Sequence, residues 1–351
     1  MTGTDRLQFY NAPATGPNSL DISIYDPVYG VAPPLSSLPL VAPGANKLLN
    51  DRFTVLDSYG AYFADMMTLS SHWKATVGLR YARNRQSIAE LKIPNVARTS
   101  KTNSKVLPMA GLVYQPNDQW SYYASYSTSY VPPAANAIDI NGVNSFVPTF
   151  SDQVEVGSKA NFMDGRLSAT LAFYRIDEKD NFSHFACAFG TCYQQLGKAR
   201  SQGAEFEINA RPLPNWQLTA GYAYTDAKIT KSDNVAQVNS RLPNVPISSE
   251  HLWSRYDFRS LQGLGFGLGV IHNGERHGLT PTKVNSPMLK LPAYTRVDAA
   301  LYYNFDQYVL TFKVENLFDK TYYQSAGFNG DINLLPGNPR LFTLSIRAFF
   351  E

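Results

Sequence analysis

The stretch Trp216-Gln217-Leu218-Thr219-Ala220-Gly221-Tyr222-Ala223-Tyr224-Thr225 decides the fold class. Trp216, Leu218, Ala220, Tyr222 and Tyr224 stand at every second place, with Gln217, Thr219 and Thr225 between them. Successive side chains of a β-strand point to opposite faces, so this spacing gathers the rings and aliphatic groups on one face. The same alternation recurs along the chain. Trp73, Ala75, Val77, Leu79 and Tyr81 interleave with Lys74, Thr76, Gly78 and Arg80. Leu167, Ala169, Leu171 and Phe173 interleave with Arg166, Ser168 and Thr170, and Phe342, Leu344 and Ile346 with Thr343, Ser345 and Arg347. About 13 such segments follow one another from Tyr59 onward, each of strand length.

The links between segments alternate in length. Short ones fall near Ser70-Ser71, Pro116-Asn117-Asp118, Met163-Asp164-Gly165, Pro212-Leu213-Pro214, Ser260-Leu261 and Asp306. Long ones fall near 85–103, 131–149, 180–199, 230–246, 274–291 and 320–339. Strict short–long alternation is the habit of transmembrane barrels, with short periplasmic turns and long extracellular loops. Composition agrees: 17% charged residues, 13% aromatic, with 22 Tyr and 20 Phe. No apolar run approaches the roughly 20 residues of a membrane helix. The expectation is an all-β, transmembrane antiparallel β-barrel over residues 59–351, apolar toward lipid and polar toward the lumen. Residues 1–58, with Pro33, Pro34, Pro39 and Pro43, read as an irregular extracellular loop region. An odd strand count leaves backbone groups unpaired in lipid, so further strands are expected before residue 1. The opening Met1–Arg6 has no signal-peptide pattern, and the true N-terminus is expected upstream. The net charge of +3 gives no reason to expect a nucleic-acid partner.

Four motifs then carry a family resemblance. Val314-Glu315-Asn316-Leu317-Phe318-Asp319-Lys320-Thr321-Tyr322-Tyr323 resembles the penultimate strand of TonB-dependent outer-membrane receptors. Gly337-Asn338-Pro339-Arg340 with Leu341–Ile346 resembles their final strand. Ser201-Gln202-Gly203-Ala204-Glu205-Phe206-Glu207 and Glu155-Val156-Gly157-Ser158-Lys159 are similar to two of their internal strand starts. Within the family, the ending is most similar to the hydroxamate-type and pyoverdine-type siderophore branch. The family commonly stops on an aromatic residue; here Glu351 follows Phe350. The resemblance implies a 22-stranded barrel around an N-terminal plug, of which this chain would hold the C-terminal strands without the plug. It also implies outer-membrane placement in a Gram-negative bacterium and uptake of ferric siderophore energised through TonB, reached by the missing N-terminal region. Outer-membrane lipid and lipopolysaccharide are the remaining implied partners. No cofactor is implied, because the siderophore itself holds the iron. The chain alone is expected not to transport. A passive porin or structural barrel is the alternative, as is a receptor for haem or cobalamin.

Candidate ligand contacts are the loop aromatics Phe182, His184, Phe185, Phe189 and Tyr193, with Tyr322, Tyr323 and Phe328 after the last motif. Rigid rings suit the apolar edges of a ferric chelate; rings that pack loops together explain the same residues. Cys187 and Cys192 are read as a small disulfide ring, because exported chains oxidise, with two free thiols as the alternative; two thiols do not complete a metal site. Trp73, Tyr81, Trp120, Tyr130, Trp216 and Trp253 read as membrane-interface girdle residues. Lumen charges such as Lys74, Arg80, Glu155, Lys159, Glu205, Arg296, Lys313 and Arg347 are mixed in sign and read as salt-bridge ladders. No nucleophile elbow, paired metal histidines or phosphate loop is present, so no enzyme is expected.

Overall fold

The computed structural model describes residues 2–10, 48–91, 98–187, 190–281, 283–284, 288–326 and 334–350. The strands are β1 (Thr2–Tyr10), β2 (Leu48–Thr68), β3 (Trp73–Glu90), β4 (Thr99–Tyr114), β5 (Trp120–Val131) and β6 (Thr149–Phe162). Then come β7 (Leu167–Cys187), β8 (Gly190–Leu213), β9 (Trp216–Lys231), β10 (Ser248–Asp257), β11 (Leu264–Asn273), β12 (Arg276–His277) and β13 (Lys290–Leu291). The last are β14 (Tyr294–Phe305), β15 (Tyr308–Glu315), β16 (Tyr323–Ala326), β17 (Leu334–Pro336) and β18 (Leu341–Ala348). One 14-stranded antiparallel sheet runs in the order β1 to β11, then β14, β15 and β18. The pairs β12–β13 and β16–β17 stand as small hairpins within the long links after β11 and β15.

The register carries the period of two across the sheet. Directly opposed residues share a face. Ala124 opposes Val156, Val156 opposes Phe173, Phe173 opposes Ala204, and Ala204 opposes Tyr224. One place along, Tyr123 opposes Gly157, Gly157 opposes Ala172, Ala172 opposes Glu205, and Glu205 opposes Ala223. The first row belongs to the outward, lipid-side face and the second to the lumen face. A slip of one residue anywhere would put carboxylates among the outward rings, so the pattern pins the register. The outward face remains uncovered: Val77, Val154, Phe173, Tyr222 and Leu344 are all exposed. Such a surface is stable only in lipid.

The short turns use left-handed backbone. Met163, Asp164 and Gly165 have φ of 54°, 54° and 80°, and Asp306 has φ of 47° in the link to β15.

Three expectations change. The segment 1–58 is not uniformly irregular: Thr2–Tyr10 is strand, and β2 begins at Leu48, where the two pair antiparallel. Its residues 11–47 lie outside the described ones. The link at 180–199 is not a free loop, because β7 and β8 continue as a paired hairpin through Cys187 and Gly190. Finally, Trp253 leaves the girdle. It opposes Thr219 and Gly269 on the lumen face, since counting back from Tyr256 puts it on the odd parity. The girdle itself is present at the short-turn rim, where Trp73 meets Tyr114 at 4.6 Å and Trp120 stacks on Tyr122 at 6.0 Å. Trp216 Nε1 donates to Ser254 Oγ there at 2.9 Å.

Candidate functional site

The lumen wall is a ladder of matched groups. Tyr123 Oη donates to Glu155 Oε1 at 2.6 Å, Gln153 Nε2 donates to Glu155 Oε2 at 3.0 Å, and Lys159 Nζ lies 5.5 Å from the Tyr123 ring centre. Arg255 pairs with Asp257 at 2.9 Å and lies 4.0 Å over the Tyr302 ring. Arg296 pairs with Asp298 and Lys313 with Glu315, at 2.9 and 2.7 Å. The signs cancel locally, which suits polar contact with whatever fills the lumen better than selection of one ion charge. Inward rings fill the places of inward glycines: Tyr123 lies against Gly157, Tyr174 against Gly203, and Trp253 against Gly267 and Gly269. Glycine in a strand often marks such a close approach. Glu205 stands on this wall opposite Ala172 and Ala223.

Two loop clusters stand at the long-link end. In the first, residues 132–148 lie on the β7–β8 hairpin. Tyr193 N–H donates to Ile138 O at 2.8 Å, and Gln195 Nε2 donates to Val147 O at 2.5 Å and to Asp180 O at 2.8 Å. Lys101 Nζ clamps the loop through Asn144 Oδ1, Asn144 O and Phe146 O at 2.6, 3.0 and 2.7 Å, and burial lowers its pKa. The Asp139 carboxylate is held below its usual pKa by the Val143 and Asn141 backbone N–H groups. Phe182 packs edge-on between Phe146 at 5.2 Å and Tyr193 at 6.3 Å. Cys192 is fully buried and disulfide-bonded, and no described cysteine is free. The side chains of His184, Phe185, Cys187 and Phe189 lie outside the described residues.

In the second cluster, both small hairpins meet residues 232–247. Asn244 and Ala326 exchange two hydrogen bonds, at 2.8 and 3.0 Å. Arg276 Nη2 donates to Tyr323 O at 2.5 Å, and its guanidinium lies 5.3 Å from the Tyr294 ring. Tyr322 stacks on Tyr294 at 4.2 Å and is buried, so it is a packing ring and not an exposed contact. Tyr323 is half-buried on β16, and Phe328 lies outside the described residues. Glu275 is held below its usual pKa by Lys290, 2.8 Å away, whereas burial and then Arg241 lower that of His277.

The residues of the last motifs close the link after β15. Asn316 has φ of 52° and is buried. Its Nδ2 donates to Lys320 O and Asn338 O at 3.0 Å each, while its Oδ1 accepts from Lys320 N–H at 2.8 Å. Its own N–H donates to Asp298 Oδ1 at 2.8 Å. Leu317 N–H donates to Val297 O at 2.7 Å, and Arg340 N–H donates to Asp319 Oδ1 at 2.8 Å beside the exposed Pro339. Phe318 and Phe350 are exposed. The sequence reading missed Lys101, Phe146, Asn244, Arg276 and Tyr294. They lie far along the chain from the residues they hold, and only the Arg and Tyr types hinted at packing.

The family model for the TonB-dependent receptor-like β-barrel matches residues 2–317. The chain belongs to this family. Barrels of TonB-dependent receptors sit in the outer membrane of Gram-negative bacteria, and they are receptors rather than enzymes. Among curated relatives, the metal-pseudopaline receptor CntO of Pseudomonas aeruginosa is 31% identical over 350 residues, covering 97% of this chain and 46% of its own. The probable TonB-dependent siderophore receptor PiuA of Acinetobacter baumannii is 28% identical over 292 residues, covering 77% of this chain and 38% of its own. The chain thus spans about half, or less, of the relatives it matches. The ferric-catecholate import receptor Fiu of Escherichia coli, in its closed form, shares the fold with a TM-score of 0.75 at 24% identity, over 99% of this chain and 50% of that one.

Proposed function

We propose that this TonB-dependent receptor barrel forms the lumen wall and extracellular mouth of a ferric-siderophore uptake receptor energised through TonB. The observation that supports this best is the pairing of a charge-balanced, ring-lined lumen with long-link loops fixed to one another by side-chain-to-backbone bonds. A mouth built so can present a defined surface to a bulky chelate, while the balanced wall offers polar contacts without trapping a charged one. The siderophore holds the iron, so the wall supplies contacts and no bond changes. The names of the curated relatives point the same way.

The test is saturable binding of iron-55 ferripyoverdine, and of a ferric hydroxamate, to outer membranes carrying the chain. Binding displaced by unlabelled chelate is expected, without uptake by whole cells expressing the chain alone. No saturable binding of either chelate would count against this reading, and uptake that survives a protonophore would favour a passive pore.

A further inference from the structure

Arg276, on the two-residue strand β12, is a buried cation without a carboxylate. The residue is 4% exposed. Its Nη2 donates to Tyr323 O, and its guanidinium lies against the Tyr294 ring. Its Nε is shut off from solvent and bonds to nothing, and among the described residues Arg276 forms no ion pair. The carboxylates of this loop cluster and of the strands beneath it pair elsewhere. Glu275 pairs with Lys290 at 2.8 Å, Asp298 with Arg296 at 2.9 Å, Asp226 with Arg241 at 3.6 Å, and Glu250 faces His272 at 4.0 Å. A buried charge is costly unless an opposite charge meets it, and a buried donor without a partner often marks the place of an ion.

The positive surplus extends through a pair of rings. Tyr294 stacks on Tyr322 at 4.2 Å, Arg296 Nη1 donates to Tyr322 Oη at 3.5 Å, and Arg296 Nε is a second buried donor with no partner. Two guanidinium groups thus flank one ring pair with a single carboxylate, Asp298, between them. The surroundings define what can balance the charge. Leu291, 1% exposed, is the direct strand partner of Arg276, and the Tyr294 ring covers the guanidinium. An ion that reaches Nε must be small and must carry one negative charge to match one guanidinium. It must also shed its water cheaply, because a ring and an aliphatic chain take the place of that water. Chloride and bromide meet these conditions. Sulfate is too large and too highly charged, and fluoride holds its water too tightly.

We propose that Arg276 holds a monovalent halide ion, which ties the β12–β13 hairpin to β16 at the mouth. The site is independent of siderophore binding. It makes the order of this loop cluster depend on the halide concentration outside.

The test is amide hydrogen exchange of the full chain in detergent micelles, read by mass spectrometry at 274–278, 289–291 and 322–326. Sodium chloride replaces sodium fluoride at constant ionic strength. An ion bound only by the closed cluster slows opening in proportion to its concentration. Exchange at these amides should therefore fall about tenfold for each tenfold rise in chloride above its dissociation constant. Bromide should act like chloride and sulfate should not, with β7 and β8 unaffected throughout. Arg276→Gln should abolish the dependence, and Arg276→Lys should keep a weaker one. Exchange of the unaltered chain that is the same in chloride and fluoride would overturn the proposal, whether or not the variants fold. So would slowing spread evenly over all strands, which is a general salt effect. A folded Arg276→Gln variant that keeps the full chloride dependence would also overturn it.

Discussion

The Tyr123 ring occupies the space that a side chain on Gly157 would need. A Cβ there would lie 2.6 Å from Tyr123 Oη and 2.7 Å from its Cε1. The two residues are direct cross-strand partners on the lumen face, and this placement carries the hydroxyl to Glu155. Tyr174 and Gly203, also direct partners, repeat the arrangement two strands on, where Tyr174 Oη meets Thr225 Oγ1 at 3.0 Å.

Replacing Gly157 with Val should therefore destabilise the wall by about 1–3 kcal/mol, the usual cost of overpacking. The Leu171 carbonyl lies as close to that Cβ as the ring does, so moving Tyr123 alone does not relieve it. Urea unfolding of the chain in lipid vesicles measures this. An unchanged midpoint would mean that the ring does not sit on the glycine. Tyr123→Phe should cost less, about 1 kcal/mol for one hydrogen bond.

Asn316 ties the link after β15 from within. Asn316→Ala removes three side-chain hydrogen bonds and leaves a non-glycine residue at φ of 52°. A loss of roughly 2–4 kcal/mol is expected. Amide hydrogen exchange at 317–323 and 338–340 should rise, with β7 and β8 unchanged. Asn316→Asp keeps the acceptor for Lys320 N–H but loses both donors, and should fall between.

The hairpin β12–β13 should respond to pH through His277. Its folded pKa lies below the ordinary 6.5, because burial and then Arg241 and Lys290 disfavour the cation. Below 6.5 the unfolded chain therefore binds more protons than the folded one. Stability is full above 6.5 and falls as pH drops from there toward the folded value. Urea midpoints at pH 7.5 and 5.5 should differ in this sense, and the part due to His277 should vanish in His277→Gln.

The disulfide at Cys192 gives a chemical test. Titration of the denatured chain should find no thiol without reductant and two with it, since the chain has two cysteines. Closing a six-residue ring is worth about 2 kcal/mol on the chain-entropy model. Reduction should therefore speed proteolysis of the β7–β8 tip and spare the membrane strands.

The parts of the fold that follow from period two were legible in the sequence. Phe173 next to Tyr174 is enough to say that one faces lipid and the other the lumen, because strand geometry leaves no other option. Trp253 was misplaced because its type suggested a rim, while its parity, set by Tyr256 and Phe266, puts it inside. β1 and the start of β2 were missed for a different reason. Leu48-Leu49-Asn50-Asp51-Arg52 has no clean alternation, and its pairing partner lies about forty residues away. At the mouth, residue type alone did not separate packing rings from presented ones. Phe182 and Tyr322 are held by Phe146 and Tyr294, contacts that depend on how loops fold over the sheet and leave no local signal.

The claim beneath all of this is that one face of the sheet meets lipid and the other the aqueous lumen. It is tested most directly on β7, by Thr170→Cys, Leu171→Cys, Ala172→Cys, Phe173→Cys and Tyr174→Cys, each carrying a small fluorophore in a vesicle-inserted chain. Brominated lipid should quench the label at 171 and 173, and aqueous iodide the label at 170, 172 and 174. Quenching without alternation would contradict the barrel face assignment, and with it the register and the lumen wall.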